Sequence, residues 1–550
     1  MGEPVMLLRH KFHFSPFARF ASLLSILLFA GVLTAAAQTT VTTYHNDNYR
    51  TGWNSTETVL TPANVGSSSF GLLFKVQLDD QVDTQPLVVP GVNITAGKFP
   101  GTHDVVYVVT ENDTVYAIDA NTSTVLLTQS LGKPVQMPLG CNNNGPNVGI
   151  NSTPVIDPSS STLYVTAYTQ DNTGPTYRVH ALDLGSLTDK VTPQIVTASH
   201  TLTDGTTFVF NGKYQRQRPG LLLANGNVYA GFGSFCDVSA NLSRGWLLGW
   251  NAATLTPLSA NEVIDIQPTS PNSFFLSSIW MSGYAPAADD SGNVLFVTGN
   301  SDPSGTTYDG VTNIQESVVK VSPNLTNIVD LFTPSNQASL DQGDIDFGSG
   351  GVLVLPDQPG SLPHLAVAAG KNGQMYFMNE DKLGGYSTVK NNVLATYSIG
   401  KCWCGQSYFV DPTDGLARVV SSGGHKVEVW KLQTSPSPKL TAIGGGTVSS
   451  GQFGGFFTSV SSNGTASPII WAISRPVSPG ADIGLYAFNP ESGGNKLTVL
   501  FKAHAGPWPN YHGDANLVPV VANGKVYVAS YQQLEILGLK QSKSQAKPRK

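Results

Sequence analysis

The feature that most restricts the fold of this chain is a β-hairpin that returns, with changes, roughly every 50 to 70 residues. Each copy opens on a small or polar residue, often Pro, followed by a short apolar strand, a Gly/Asp/Asn turn, a strand of the Val-Tyr-Val kind and a strand ending in Ala-Leu-Asp or a relative. The openings fall at Pro86, Pro154, Pro219, Pro286, Val352, Tyr408, Pro468 and Pro519. The pattern is plainest in VVYVVTENDTVYAIDA (Val105–Ala120), RPGLLLANGNVYAGFG (Arg218–Gly233), APAADDSGNVLFVTGN (Ala285–Asn300) and VPVVANGKVYVASYQQLEILGL (Val518–Leu539). A unit of this size cannot bury both faces of its sheet alone, so the copies must stack into a closed ring.

Eight copies predict an all-β, eight-bladed β-propeller of four-stranded antiparallel blades, with a seven-bladed ring as the alternative if one weak copy is an insertion. The last copy supplies only about two clear strands. The strand Phe70–Asp79 is spare, and pairing it with Val518–Leu539 would close the ring. Composition agrees: charged residues are only 12%, while 56 Gly and 35 Pro punctuate Val/Ile/Leu/Tyr runs, and little helix is expected beyond the N-terminus.

The ends read differently. In residues 1–37, Arg9, Lys11 and Arg19 precede the apolar run Leu23–Leu33, and Ala35-Ala36-Ala37 offers small residues for cleavage, the layout of a signal peptide. The alternative is an uncleaved anchor; no later segment could cross a bilayer. Residues 38–69 form a polar, irregular N-terminal arm, 70–540 the propeller, and 541–550 a basic tail expected to be disordered. The formal charge is −6, and removal of 1–37 leaves 28 Lys/Arg against 36 Asp/Glu, a net −8, which argues against nucleic acid as a partner. The expected location is secreted or periplasmic. Export permits disulfides among Cys141, Cys236, Cys402 and Cys404. Closure of Cys402-Trp403-Cys404 on itself would need a very tight ring, so their pairing is open.

Several polar groups could carry chemistry. Arg216, Gln217 and Arg218 precede an inner strand, where guanidinium groups pointing into a channel would grip a carboxylate or phosphate; salt bridges to Asp344 or Asp346 are the structural alternative. His45, Asp47 and Arg50 cluster in the arm, where anchoring across a propeller face is expected ahead of catalysis. Asp341, Asp344 and Asp346 beside Gly343 and Gly348 are oxygen-rich like a calcium loop but lack EF-hand spacing. His504, His512 and Asp514 could be metal ligands at an unspecific spacing. No nucleophilic serine elbow is present.

The repeat resembles the pyrroloquinoline-quinone (PQQ) type blade: Ala-Ile-Asp at 117–119 and Ala-Leu-Asp at 181–183 match, although the closing Trp of that repeat is missing from almost every copy, which makes this a divergent branch. HNDNYRTG (45–52), GINSTPVIDP (149–158), QRPGLLL (217–223), FGSFCD (232–237), DIDFGSGGVLVLP (344–356) and VANGKVYVAS (521–530) are similar to segments of secreted bacterial quinoprotein-like propellers. Against PQQ-dependent alcohol dehydrogenases, the stretch Trp280–Asp309 matters most. The resemblance implies that Trp280 stacks on the quinone, Asn300 binds calcium, Asp309 is the catalytic base and a further metal contact, and Lys371 holds the quinone and assists catalysis; Arg218, placed before an inner strand, is expected to add a cofactor contact. Two departures stand against it. The adjacent cysteine pair is absent, and Cys236 falls where the calcium-binding Glu should be, with Asp237 one residue away and so facing the wrong way on a strand. Cys141 and Cys236 are instead expected to bridge neighbouring blade loops.

The resemblance thus implies a secreted or periplasmic quinoprotein-like propeller, with PQQ and calcium as its cofactors and oxidation of alcohols or sugars as its reaction. The alternative is a non-catalytic scaffold that binds protein or glycan. The partners are accordingly a small-molecule substrate or an extracytoplasmic protein or glycan.

Overall fold

A computed structural model describes residues 38–141, 143, 145–237, 242–268, 277–301, 307–490, 496–511 and 515–540. The expected signal peptide (1–37), the expected disordered tail (541–550), His512 and Asp514 lie outside the described residues. Eight antiparallel sheets follow one another along the chain, each with its first strand innermost. The innermost strands are Leu87–Ile94, Val155–Asp157, Leu222–Ala224, Ala287–Ala288, Val352–Leu355, Ser407–Val410, Phe457–Asn463 and Val520–Ala522. The eight-bladed propeller is therefore the observed fold, and the seven-bladed alternative falls.

The strands read as apolar runs rather than alternating patterns because each blade is covered on both faces by its neighbours. Val105 to Val109, for example, are all buried. Turn chemistry fixes the hairpins. Asn225-Gly226 and Asn523-Gly524 take the two consecutive left-handed conformations of a two-residue turn (φ 55° and 71°, 55° and 76°), which joins Leu222–Ala224 to Asn227–Ser234 and Val520–Ala522 to Lys525–Leu539. Separate apolar cores lie between successive blades. In the core between the last and first blades, Val76, Val520, Tyr527 and Ile536 meet Val88, Val106 and Ile118.

That core depends on the spare strand. Phe70–Gln81 pairs antiparallel with Lys525–Leu539, from Phe70 opposite Leu539 to Gln81 opposite Tyr531, so the N-terminal part of the chain completes the last blade. The closing blade has three strands where four were expected, because the one long strand Lys525–Leu539 serves both Val520–Ala522 and Phe70–Gln81.

The N-terminal arm lies inside the ring, not across a face. Its backbone takes up the free inner edge of blade after blade: Val41 exchanges hydrogen bonds with Val88 (2.8 and 2.9 Å), and the carbonyls of Thr42, Asn48, Tyr49, Thr51 and Gly52 accept from Ile156, Ala288, Val354, Tyr408 and Val460 at 2.7 to 3.0 Å. Side chains supply the third and eighth blades, Asn48 Nδ2 donating to the Leu223 carbonyl and Asn54 Nδ2 to that of Val521, each at 2.9 Å. All eight blades are thus stitched in order by fourteen residues, Val41 to Asn54. Inner edges that would otherwise present unpaired backbone groups to the channel are satisfied this way.

Inside the hoop, Tyr44, His45, Tyr284 and Phe457 form an aromatic plug. Glycine is required there: a Cβ on Gly351 or Gly405 would lie 2.0 or 2.1 Å from the Tyr284 ring. No helix among the described residues is long and apolar enough to cross a membrane.

Candidate ligand-binding site

A cavity of about 860 Å³ sits where the inner strands begin. Its walls come from the segments that lead into inner strands (Arg216, Arg218, Ser278, Trp280, Asp344, Asp346, Lys401, Trp403, Phe453) and from ends of second strands (Ser234, Cys236, Asp237, Lys371). In a propeller these segments all reach one end of the axis, which explains how residues far apart in sequence share a pocket.

Lys371 organises one side. It follows the strand Leu365–Ala369, and its ammonium pairs with Asp346 and, at 3.1 Å, with Asp344. The same ammonium lies 5.5 Å from the ring centres of both Trp280 and Trp403, within cation–π range of two indoles. Burial works against the Lys371 charge, but the two carboxylates outweigh it and hold its pKa above the usual lysine value. Burial likewise opposes the Asp346 charge, yet Lys371 and the backbone N–H of Asn300 (2.9 Å) keep Asp346 ionised, its pKa lowered. The carboxyl of the buried Glu316 nearby is raised by burial and then by the Asp346 charge.

Asn300 stands behind this wall, not on it. Its amide Nδ2 donates to Asp344 at 3.3 Å. The nearby Asp341, at the end of a short helix Gln337–Gln342, accepts the Ser301 N–H at 2.7 Å.

The opposite side is basic. Arg216 donates to Asn143 (2.6 Å) and Asn151 (2.9 Å), and Arg218 lies 3.6 Å from Asp83. The alternative partners Asp344 and Asp346 belong to Lys371 instead. Asn151 passes the network on to Asp83 (2.7 Å) and Glu111 (2.9 Å), whose carboxyl is raised by burial and by Asp83. Each guanidinium is thus held from behind, with Arg216 also over the Phe235 ring at 5.9 Å.

The expected bridge is present: Cys141 and Cys236 are disulfide-bonded with Cα atoms 5.6 Å apart, tying the loop after the first blade to the third blade at the cavity wall. Cys402 and Cys404 also bond to each other, Cα to Cα 4.8 Å, so the tight ring does close and presents the intervening Trp403. Trp403 is further fixed by its N–H, which donates to the Gly454 carbonyl (2.9 Å), and by its own carbonyl, which accepts from Arg475 (2.6 Å). Its ring stacks on Phe453 with centroids 5.0 Å apart.

Two placements differ from expectation. Asp309 is not among the cavity residues: its carboxylate caps its own turn, accepting from the N–H groups of Val311, Thr312 and Asn313 and from the Thr312 hydroxyl. Against burial, those donors hold its pKa at about 2, which makes it a poor proton acceptor. The loop length between Thr298-Gly299-Asn300 and Asp309 misled the alignment. Asp237, expected to face the other way, does line the cavity. Its backbone is in the left-handed region (φ 54°), as is that of Cys236 (φ 49°), so the strand has ended and the side chain turns inward. Burial, offset in part by the Ser234 hydroxyl and reinforced by Asp346 and Asp344, raises the Asp237 carboxyl to about 6.

His45, Asp47 and Arg50 belong to the hoop. His504 is exposed, 3.7 Å from Asp482. Among the described residues, no group of three or more His, Cys, Asp or Glu is arranged to hold a metal ion.

No family model and no curated protein matches the chain. Solved structures do. The quinohemoprotein alcohol dehydrogenase of Comamonas testosteroni superposes with a TM-score of 0.59 at 14% identity over 94% of this chain and 83% of that one. Quinohemoprotein alcohol dehydrogenase ADHIIG of Pseudomonas putida HK5 gives 0.59 at 14%, covering 93% and 82%. A europium-containing methanol dehydrogenase gives 0.57 at 11%, covering 91% and 98%. At such identities the shared property is the fold.

Proposed function

We propose that this protein is an extracytoplasmic oxidoreductase of the quinoprotein type, whose cavity takes a flat polyanionic quinone such as PQQ and an alcohol or sugar substrate. The observation that carries the reading is the meeting of Trp280, Lys371 and Arg218, from three different blades, in one cavity. Two disulfides support an oxidising compartment.

The residues suit a quinone better than a metal. PQQ is planar and carries three carboxylates; the cavity offers the indoles of Trp280 and Trp403 and the cations Arg216, Arg218, Lys371 and Lys401. When bound, an ortho-quinone supplies the hydride-accepting centre. The donor set expected for calcium does not fit: Cys236 is engaged in a disulfide, Asn300 gives its Nδ2 to Asp344, and Asp346 is matched to Lys371.

Each side chain then has a task. Arg216 and Arg218, braced from behind, orient carboxylates. Lys371 keeps a full positive charge beside the ligand, where charge develops on reduction. Asp237, with a carboxyl near 6, is ionised at neutral pH and close enough to its pKa to accept a proton from a substrate hydroxyl. Trp403 and Phe453 form a wall that a sugar or aliphatic substrate could lie against, and exclude water when covered.

The experiment is titration of the purified chain with PQQ, followed by quenching of tryptophan fluorescence and by quinone absorption. Saturable binding with loss of affinity in Arg218→Ala and Trp280→Ala is expected. Absence of binding, with or without added calcium, would leave the non-catalytic scaffold as the better reading.

A further inference from the structure

Among the cavity residues, the Lys371 cluster has a geometry that the quinone reading alone does not explain. Two carboxylates, Asp344 and Asp346, from the connection into the fifth blade meet Asn300, from a loop of the fourth, which donates to both; these are residue types that a hard-cation site would use. Between the two carboxylates is an ammonium group. We infer that Lys371 occupies the place of a metal ion in this cavity, and that the site takes its anionic ligand without a divalent or trivalent ion.

Three observations converge. The ammonium meets both carboxylates and is shielded on two sides, since Trp280 and Trp403 flank it at equal distances of 5.5 Å. Asp346, the buried member, is bonded on one oxygen by Asn300 N–H and on the other by Lys371, so binding of a metal would have to displace one of them. Cys236, which stands where a third carboxylate would complete the set, is covalently committed to Cys141. A metal entering here would also meet the fixed positive charge of Lys371 at close range, a repulsion strengthened by the low dielectric of the wall.

The charge count gives the same result. A divalent ion among two carboxylates leaves the cluster neutral; one ammonium leaves it at −1, and the neighbouring Arg216, Arg218 and Lys401 restore positive potential toward a ligand. The internal cation is covalently supplied and always present. Ligand capture would then be independent of metal supply, and chelators would leave it intact. The inference rests on the cavity being a ligand site, but its metal component can be tested with no ligand at all.

The test uses the full chain after dialysis against chelator. Calcium is titrated by calorimetry, and terbium by luminescence sensitised through Trp280 and Trp403, on the wild type and on Lys371→Met, which keeps the aliphatic stem and removes the charge. The wild type should take up no stoichiometric ion at millimolar calcium and show no change in Tm. Lys371→Met should gain terbium luminescence and at least tenfold tighter calcium uptake, because Asp344 and Asp346 are released. One ion bound per wild-type chain would overturn the inference, and this arm needs no variant to fold. Uptake by neither protein would overturn the claim that Lys371 is what fills the place. A separate arm measures PQQ affinity in chelator and in calcium: equal affinities support metal independence, and binding seen only with calcium overturns it. If PQQ fails in both, the quinone reading fails while the ion titrations still decide this one.

Discussion

Two polar clusters lie near the propeller axis, and they handle charge in opposite ways. In the arm, the fully buried Arg50 donates to Thr43 Oγ1 (2.8 Å), to the carbonyls of Tyr44 (2.9 Å) and Asp47 (3.0 Å), and twice to that of Pro286 (2.8 and 2.6 Å). Nearly all of its partners are backbone groups, so its bonds fix the course of the chain and leave nothing directed at a ligand. In the cavity, Lys371, Arg216 and Arg218 are held by side chains and still line an open volume. A dense polar motif such as HNDNYR is therefore not by that fact a site. What decides is whether the acceptors are the chain's own carbonyls or side chains that a ligand can share.

The largest effect should come from breaking the hoop. Arg50→Met removes five hydrogen bonds and strands buried carbonyls, a loss of about 3–5 kcal/mol by the cost of unpairing buried polar groups. Thermal and urea unfolding would register it, and a change near zero would mean that the arm does not brace the ring. Next in size is the Cys141–Cys236 bridge, which closes a loop of 95 residues. Its removal by paired Ala substitution should cost about 2–4 kcal/mol. It should also weaken PQQ binding, because Cys236 is in the cavity wall, whereas Arg50→Met should leave the affinity of the folded fraction unchanged. Equal effects on binding would erase the contrast between the two clusters.

The fold was legible because it is written eight times. A turn such as Asn523-Gly524 and a run such as Val105–Val109 each dictate one hairpin, and repetition removes the ambiguity that a single copy would leave. The ring closure was legible too, since Phe70–Asp79 had no other partner. The course of the arm was not: nothing local in Thr42 or Gly52 says that its carbonyl meets a strand more than a hundred residues away. Trp280 and Lys371 were singled out through resemblance and Arg218 by its place before an inner strand, and all three line the cavity. Asp309 was misassigned because loop length does not set where a carboxylate points, and the Asx-type capping of Asp-Gly-Val-Thr-Asn was the overlooked signal. Asp237 was set aside on strand alternation, which holds only while the backbone stays extended. Trp403 carried a usable sign in being enclosed by two cysteines, for a ring that tight must push its middle side chain outward.

A smaller effect separates the clusters by ligand rather than by stability. Trp280→Ala should lower PQQ affinity by about tenfold, the scale of one lost aromatic stacking contact, with unfolding nearly unchanged because the indole borders open volume. The corresponding change in the plug, Tyr44→Ala, should do the reverse. Tyr44 touches Tyr284, His45 and Phe457 and is buried on all sides.

The most discriminating measurement is the sign of two pH dependences. His45 in the plug is pushed down to about 3, chiefly by burial, so the folded protein excludes a proton that the unfolded chain binds near 6.5. Between those values the unfolded state holds more protons, and stability must fall as pH drops from about 6.5 toward 3. Asp237 in the cavity is raised to about 6 from an ordinary 3.8. Here the folded state holds more protons, so the penalty is absent below about pH 4, grows as pH rises to 6 and is constant above, on the order of 3 kcal/mol. Asp237→Asn should therefore match the wild type near pH 4 and exceed it in Tm at pH 7, while losing any quinone-dependent oxidation. His45→Asn should match the wild type at pH 7, apart from a pH-independent packing loss, and resist acid better below 6. If both variants shift the stability profile in the same direction, Asp237 is not the strained, proton-accepting group that the proposed oxidoreductase reading needs.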